Sequence, residues 1–150
     1  MASAATPFNW PGVPPAAYDI VACYFPETEP QPDGSDKLRP ALILNVFRDK
    51  TGGGYFCEVA YGTSNLKFPQ RVDIDLIIQH AAHLRDVGLP RATRFNLDKD
   101  QVLTLPWTPE FFGCWDGMDS PYLGSLTEDY LKELAWLKFK RASQEAGGQS

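Results

Sequence analysis

What this sequence has little of already narrows its possibilities. Cysteine is scarce: Cys23, Cys57 and Cys114 are widely spaced, odd in number and form no CxxC pair. That spacing excludes a disulfide framework and a cysteine zinc site, and buried free thiols in a reducing compartment are expected. Long apolar runs are missing, since no stretch approaches the ~18 residues of a membrane span. Residues 1–15 offer neither a basic n-region nor an apolar h-region, so no secretory signal is read there and a cytoplasmic protein away from membranes is expected. Positive charge is also short: 14 Lys and Arg stand against 19 Asp and Glu, for a formal charge of −5 and a pI near 4.9. This balance argues against binding nucleic acid by bulk phosphate neutralisation. It leaves room for a local basic cleft, because net charge says little about one site.

What remains is ordinary for a globular chain. Apolar residues make up 43% and charged residues 22% of 150 positions, enough for one domain with a sizeable core. The 13 prolines fall mostly in loops. Residues 1–16 are small and Pro-rich and predict an irregular arm; residues 17–142 form the domain, and 143–150 a flexible tail.

Tyr18 to Phe25 is β-branched and aromatic, a good first strand. The following stretch to Pro40 carries Pro26, Pro30, Pro32 and Gly34 and predicts a loop, because proline has no ladder donor. Ala41 to Phe47 is nearly all apolar and predicts a core strand. A turn over Asp49 to Gly54 leads to a hairpin partner at Tyr55 to Tyr61. Arg71 to Ile74 is short and strand-like.

Asp75 to Val87 carries apolar residues at 76, 77, 81 and 84 before Gly88 and predicts a helix. Ala92 to Leu97 and Gln101 to Leu105 predict strands, and Trp107 to Tyr122 an irregular aromatic segment. A last helix is expected over Leu126 to Arg141. Ser125 and Glu128 suggest a capping box, Tyr130, Leu131, Leu134 and Leu137 give an apolar face, and Lys138, Lys140 and Arg141 close the helix. The pattern as a whole predicts a mostly-β, α+β chain: a small, partly open barrel with helical additions.

Four segments, in order, resemble the MazF/PemK/Kid family. Tyr18-Asp19-Ile20-Val21 stands where the family has Gly-Asp-Ile/Val, and Arg39-Pro40 precedes an apolar strand as in the family. Val59-Ala60-Tyr61-Gly62-Thr63-Ser64 is similar to the family strand ending in Thr or Thr-Ser. Asp100-Gln101-Val102, running on to Trp107, is similar to its Asp-Gln-Val/Ile strand. The resemblance spans about residues 18–137. It implies an SH3-like barrel with a C-terminal helix and a short inserted helix at 75–87. It also implies a homodimer, an antitoxin protein as partner, and an endoribonuclease that cuts single-stranded RNA without a metal or other cofactor.

RNA cleavage of this kind uses the 2′-hydroxyl as nucleophile. It needs a proton acceptor, a proton donor for the leaving oxygen, and donors for the crowded negative phosphate. By resemblance Arg39, Thr63 and Asp100 are the catalytic candidates, with Ser64, Lys37 and Arg94 binding substrate. An arginine fork suits a phosphate because it presents several donors in one plane.

The chain departs from the family in the longer interval between Thr63 and Asp100, which holds the inserted helix, and in two further places. Asp98 stands where some members have an arginine acid, and residues 31–37 replace the usual Gly-x-Glu-Gln stretch. These departures, with the acidic total charge, keep a second reading open: a non-catalytic protein that binds protein or nucleic acid on the same barrel. His80 and His83 have a spacing that can hold a metal, but a solvent-facing or capping pair is the simpler reading. Phe111, Phe112 and Trp115 offer base-stacking surfaces, with core or dimer packing the simpler role.

Overall fold

The computed structural model describes residues 8–10, 12–24, 38–64, 66, 75–99, 101–115 and 117–147, the last four by backbone alone. The fold is mostly β: a curled, antiparallel half-barrel sheet with two helices. Seven strands contribute: β1 (Asp19–Tyr24), β2 (Leu38–Arg48), β3 (Tyr55–Thr63), β4 (Leu76–Ile78), β5 (Thr93–Phe95), β6 (Leu103–Pro106) and β7 (Tyr122–Ser125). Helix α1 (Ala81–Val87) lies between β4 and β5, and α2 (Glu128–Gly147) follows β7. Strand order is β4-β5-β3-β2-β1-β7, and β6 pairs with the first half of β3.

β2 is nearly all apolar because both faces of the sheet are covered. Ile20, Leu42, Leu44 and Ala60 point to an aliphatic core shared with Leu76, Ile78, Phe95, Leu97 and α2. Val21, Cys23, Ala41, Ile43, Cys57 and Val59 point the other way, to a core closed by Leu105, Trp107 and Phe112. A bulge between Ile43 and Asn45 absorbs one residue, so Val46 returns to the same face as Ile43 and Cys57. Phe8 and Trp10 pack against this second core, with ring centroids of Trp10 and Trp107 4.8 Å apart.

Four expectations need correction. β2 begins at Leu38, so Pro40 lies inside a strand that has neighbours on both sides. Its missing donor costs the β1–β2 ladder nothing. Opposite it stands Ala22, whose N–H goes to Pro121 O and whose carbonyl accepts from Gly113 N, both away from β2. On the other side, the registered β2–β3 ladder reaches only to Ala41 and Tyr61.

The predicted helix over 75–87 is instead a strand followed by a seven-residue helix. Leu76 and Ile78 are buried while Ile77 is half-exposed, a period of two that two adjacent β-branched isoleucines favour. α1 then ends at Gly88, left-handed at φ 81°, whose N–H reaches the carbonyls of Arg85 and Leu84. A side chain on Gly88 would collide with Leu123 O, and one on Gly124 with Val87 O, so α1 and β7 touch backbone to backbone.

The third correction concerns Ser125. It ends β7 and gives its hydroxyl to Asp19 Oδ1 at 2.7 Å, so it does not cap α2. Thr127 takes the cap position, its carbonyl accepting the first helical bond from Leu131 N. The fourth is the far end of α2: Lys138, Lys140 and Arg141 do not close it, because the helix continues to Gly147. Its buried stripe of Tyr130, Leu134 and Leu137, with Leu131 partly covered, is as the spacing requires. The strand reading of Arg71 to Ile74 lies outside the described residues.

Candidate functional site

Arg39 and Thr63 come from the facing ends of β2 and β3. The last registered pair is Ala41 with Tyr61, and alternation from it puts Arg39 and Thr63, each two residues further on, on the same face. Thr63 is in turn registered with Arg94 on β5, and Arg39 with Cys23 on β1. Residues in register share a face, so Cys23, Arg39, Thr63 and Arg94 form a row across four strands.

Gly62 makes this convergence possible. A Cβ there would lie 2.7 Å from Thr93 Cγ2 and 3.0 Å from both Pro40 O and Phe95 Cε1, so any larger residue would push β2 and β5 off β3. The Gly-Thr pair therefore positions the hydroxyl through the size of its first member.

Arg39 is half-buried, and its Nε has no hydrogen-bond partner among the described residues. A guanidinium with an unmatched donor is held ready for an acceptor, since buried donors are normally satisfied. Ser64 is exposed just beyond the strand end. Lys37 and Asp100 lie outside the described residues.

Arg94 is set in the interior, 5% exposed, with Nη1 2.7 Å from Asp75 Oδ2. Asp75 also accepts from Leu97 N at 3.3 Å. Burial pushes the Asp75 carboxyl up, against the downward pull of the hydrogen bonds from Arg94 and Leu97. The pair ties β5 to the start of β4. It brings a charge into the row that is matched from below, a partner that 19 residues of sequence separation concealed.

His83 Nδ1 lies 2.7 Å from Tyr130 Oη, which docks α1 on α2. His80 stands at the N-cap of α1 without a side-chain cap bond. No group of three or more metal-type ligands occurs among the described residues. Cys23 and Cys57 are buried in the aromatic core, and burial raises both thiols, Cys57 to about 12. Of the aromatic candidates Phe112 is fully buried, while Phe111 and Trp115 are half-exposed.

A second concavity lies at the other end of β2, beside the turn to β3. It has a volume of about 290 Å³ and includes Trp10, Asp49, Tyr55, Trp107 and Thr108 in its walls. No sequence motif marks it, because its walls come from three separate segments. Only the concentration of aromatic residues at 107–115 pointed nearby.

Chemically, the Arg39–Thr63 row can present a guanidinium fork and a hydroxyl to one tetrahedral anion. Compared with known proteins, the chain matches no family model, and no curated protein matches it at a significant level.

Proposed function

We propose that this chain is a metal-independent endoribonuclease of the MazF/PemK kind, acting in the cytoplasm on single-stranded RNA as a homodimer restrained by an antitoxin protein. On this reading the curled sheet is an SH3-like barrel. What supports the proposal is that Arg39 and Thr63 stand at neighbouring ends of adjacent strands on one face, with Arg39 Nε lacking a hydrogen-bond partner among the described residues.

The chemistry follows from what those groups can do. The substrate's own 2′-oxygen attacks the neighbouring phosphorus, a 2′-O–P bond forms and the P–O5′ bond breaks. The 2′-proton leaves to a base, and the 5′-oxygen takes a proton as it departs. Arg39 and the Thr63 hydroxyl donate to the non-bridging oxygens, where negative charge grows in the transition state. Asp100 is the candidate base by resemblance. The nucleophile belongs to the substrate, so the protein's contribution is alignment and charge stabilisation.

One observation favours a second reading, a binding protein that does not cleave: Arg94 is held by Asp75, which leaves Arg39 as the row's solvent-side arginine. Incubation of a long single-stranded RNA in EDTA with wild type and with Arg39→Ala separates the two. The nuclease gives cuts with 2′,3′-cyclic phosphate ends and loses about 10²–10³-fold in rate in the variant. Intact RNA with folded wild-type protein overturns the proposal and leaves the binding reading.

A further inference from the structure

Helix α2 buries one face against the sheet, through Tyr130, Leu134 and Leu137. On the opposite ridge, positions 132, 136, 139 and 143 recur at spacings of four, three and four, which puts Lys132, Trp136, Phe139 and Ser143 in one line. All four are exposed. Trp136 is 59% exposed and Phe139 63%, more than any other aromatic residue among those described. Their rings stack at 5.8 Å with planes 27° apart, so they form one continuous apolar surface. A single exposed aromatic is ordinary. Two joined on the outward ridge of a helix mark an interaction surface.

We propose that this ridge docks a second copy of the chain, with the two α2 helices antiparallel. The charges beside the ridge select both the occupant and the direction. A two-fold axis between positions 136 and 139 sets Trp136 of each copy against Phe139 of the other, and Lys132 against Ser143. Lys132 keeps Glu128 of its own helix at 3.7 Å, so its charge stays matched at the edge of the contact. One flank of the ridge carries Glu133 and Lys140. In an antiparallel pair that flank faces itself, which brings Glu133 of each copy beside Lys140 of the other. The other flank carries the exposed Ala135 and Ala142, small enough to let the two backbones approach. Parallel helices would instead set Lys132 against Lys132 and Glu128 against Glu133, both repulsive. The exposed parts of the four rings supply roughly 500 Å² in all, below the ~1,200–2,000 Å² of a standard interface. The dimer is therefore reversible, with a dissociation constant on the order of 10 µM. The proposal rests on the homodimer reading above and names the surface that makes it; it does not depend on RNA cleavage.

The test is sedimentation velocity of the full chain from about 1 to about 300 µM, a range that spans that constant. The wild type should pass from monomer to dimer. Trp136→Ala should weaken the association by about 100-fold, because a two-fold interface loses the ring twice. Glu133→Lys and Lys140→Glu, each alone, should weaken it by about tenfold, since each turns two attractions into repulsions. An equimolar mixture of those two variants should regain wild-type association, because opposite charges then meet on both sides of the axis. A change in monomer fold cannot produce that recovery, so the mixture reads the contact itself. Wild type that stays monomeric throughout overturns this proposal and the homodimer reading together, and leaves the ridge to a different protein. A dimer that Trp136→Ala leaves intact, charge variants that pair as tightly as wild type, or a mixture that does not recover overturns the ridge alone. RNA left intact in the EDTA assay bears on none of these outcomes.

Discussion

At the β4–β5 end of the sheet a buried charge pair is complete: Arg94 has Asp75, and Asp75 also has the Leu97 amide. Around the aromatic core, buried polar atoms are not complete. Among the described residues Trp107 Nε1 and Thr108 Oγ1 lack hydrogen-bond partners there, and Arg39 Nε lacks one at the end of the same face. A buried donor left unmatched costs about 1–3 kcal/mol, so a face that keeps three is being held for something other than stability. The complete pair serves cohesion, and the unmatched donors do not.

The strongest way to break this contrast is to attack the charge pair at the β4–β5 end. Asp75→Ala leaves Arg94 buried and alone, and should cost about 3–5 kcal/mol in urea unfolding. Replacing both residues, Asp75→Leu with Arg94→Met, should restore most of that loss, because apolar pairs of similar volume replace buried ion pairs at little cost. If the double variant is as unstable as the single one, the pair does more than hold the core.

A smaller effect is expected on the aromatic side, and with the opposite sign. Thr108→Val removes an unpartnered hydroxyl with little change of shape. It should raise stability by about 1 kcal/mol, read from the urea midpoint at constant m-value. A loss of that size instead would mean the hydroxyl is already satisfied, and the contrast between the two regions would weaken.

The smallest effect is the pH response of Asp75. Its folded-state carboxyl is raised by burial, so the native state binds the proton more readily than the unfolded chain. The stability contributed by that proton is present below the ordinary aspartate range and lost as pH rises through the raised value. The stability difference between wild type and Asp75→Asn should therefore fall as pH increases across that window. A difference that grows with pH would show Arg94 outweighing burial.

The elements most legible in the sequence were those whose pattern was long or doubly constrained. β2 and β3 followed from an apolar run, a glycine turn and a second run. The buried stripe of α2 followed from residues 130, 134 and 137. The misread elements were short and decided by neighbours. Leu76-Ile77-Ile78 fits a helix stripe or a strand equally well over three residues, and pairing with β5 decided it. β7 has four residues and was read as irregular chain and helix start, until Asp19 claimed the Ser125 hydroxyl. Pro40 was assigned to a loop by a rule that fails where the opposing residue bonds elsewhere.

Of the candidate site, Arg39 and Thr63 were legible through short motifs, and the register relates them. Asp75–Arg94 and the Trp107 cavity were not, since each joins residues with no fixed spacing. Tyr18 shows a further limit. It stands at φ 74°, where the family it resembles carries glycine, and its backbone bonds to Ile43 O and Leu126 N help to hold it there.

The contact of Gly88 with Leu123 O, and of Gly124 with Val87 O, has a consequence for how this chain can diversify. Neither glycine codon can change alone, because any side chain at one strikes the main chain beside the other. The segment between β4 and β5 is thus anchored at its outgoing end, and new length or new sequence is admissible only at its incoming end, near Gln79 and His80.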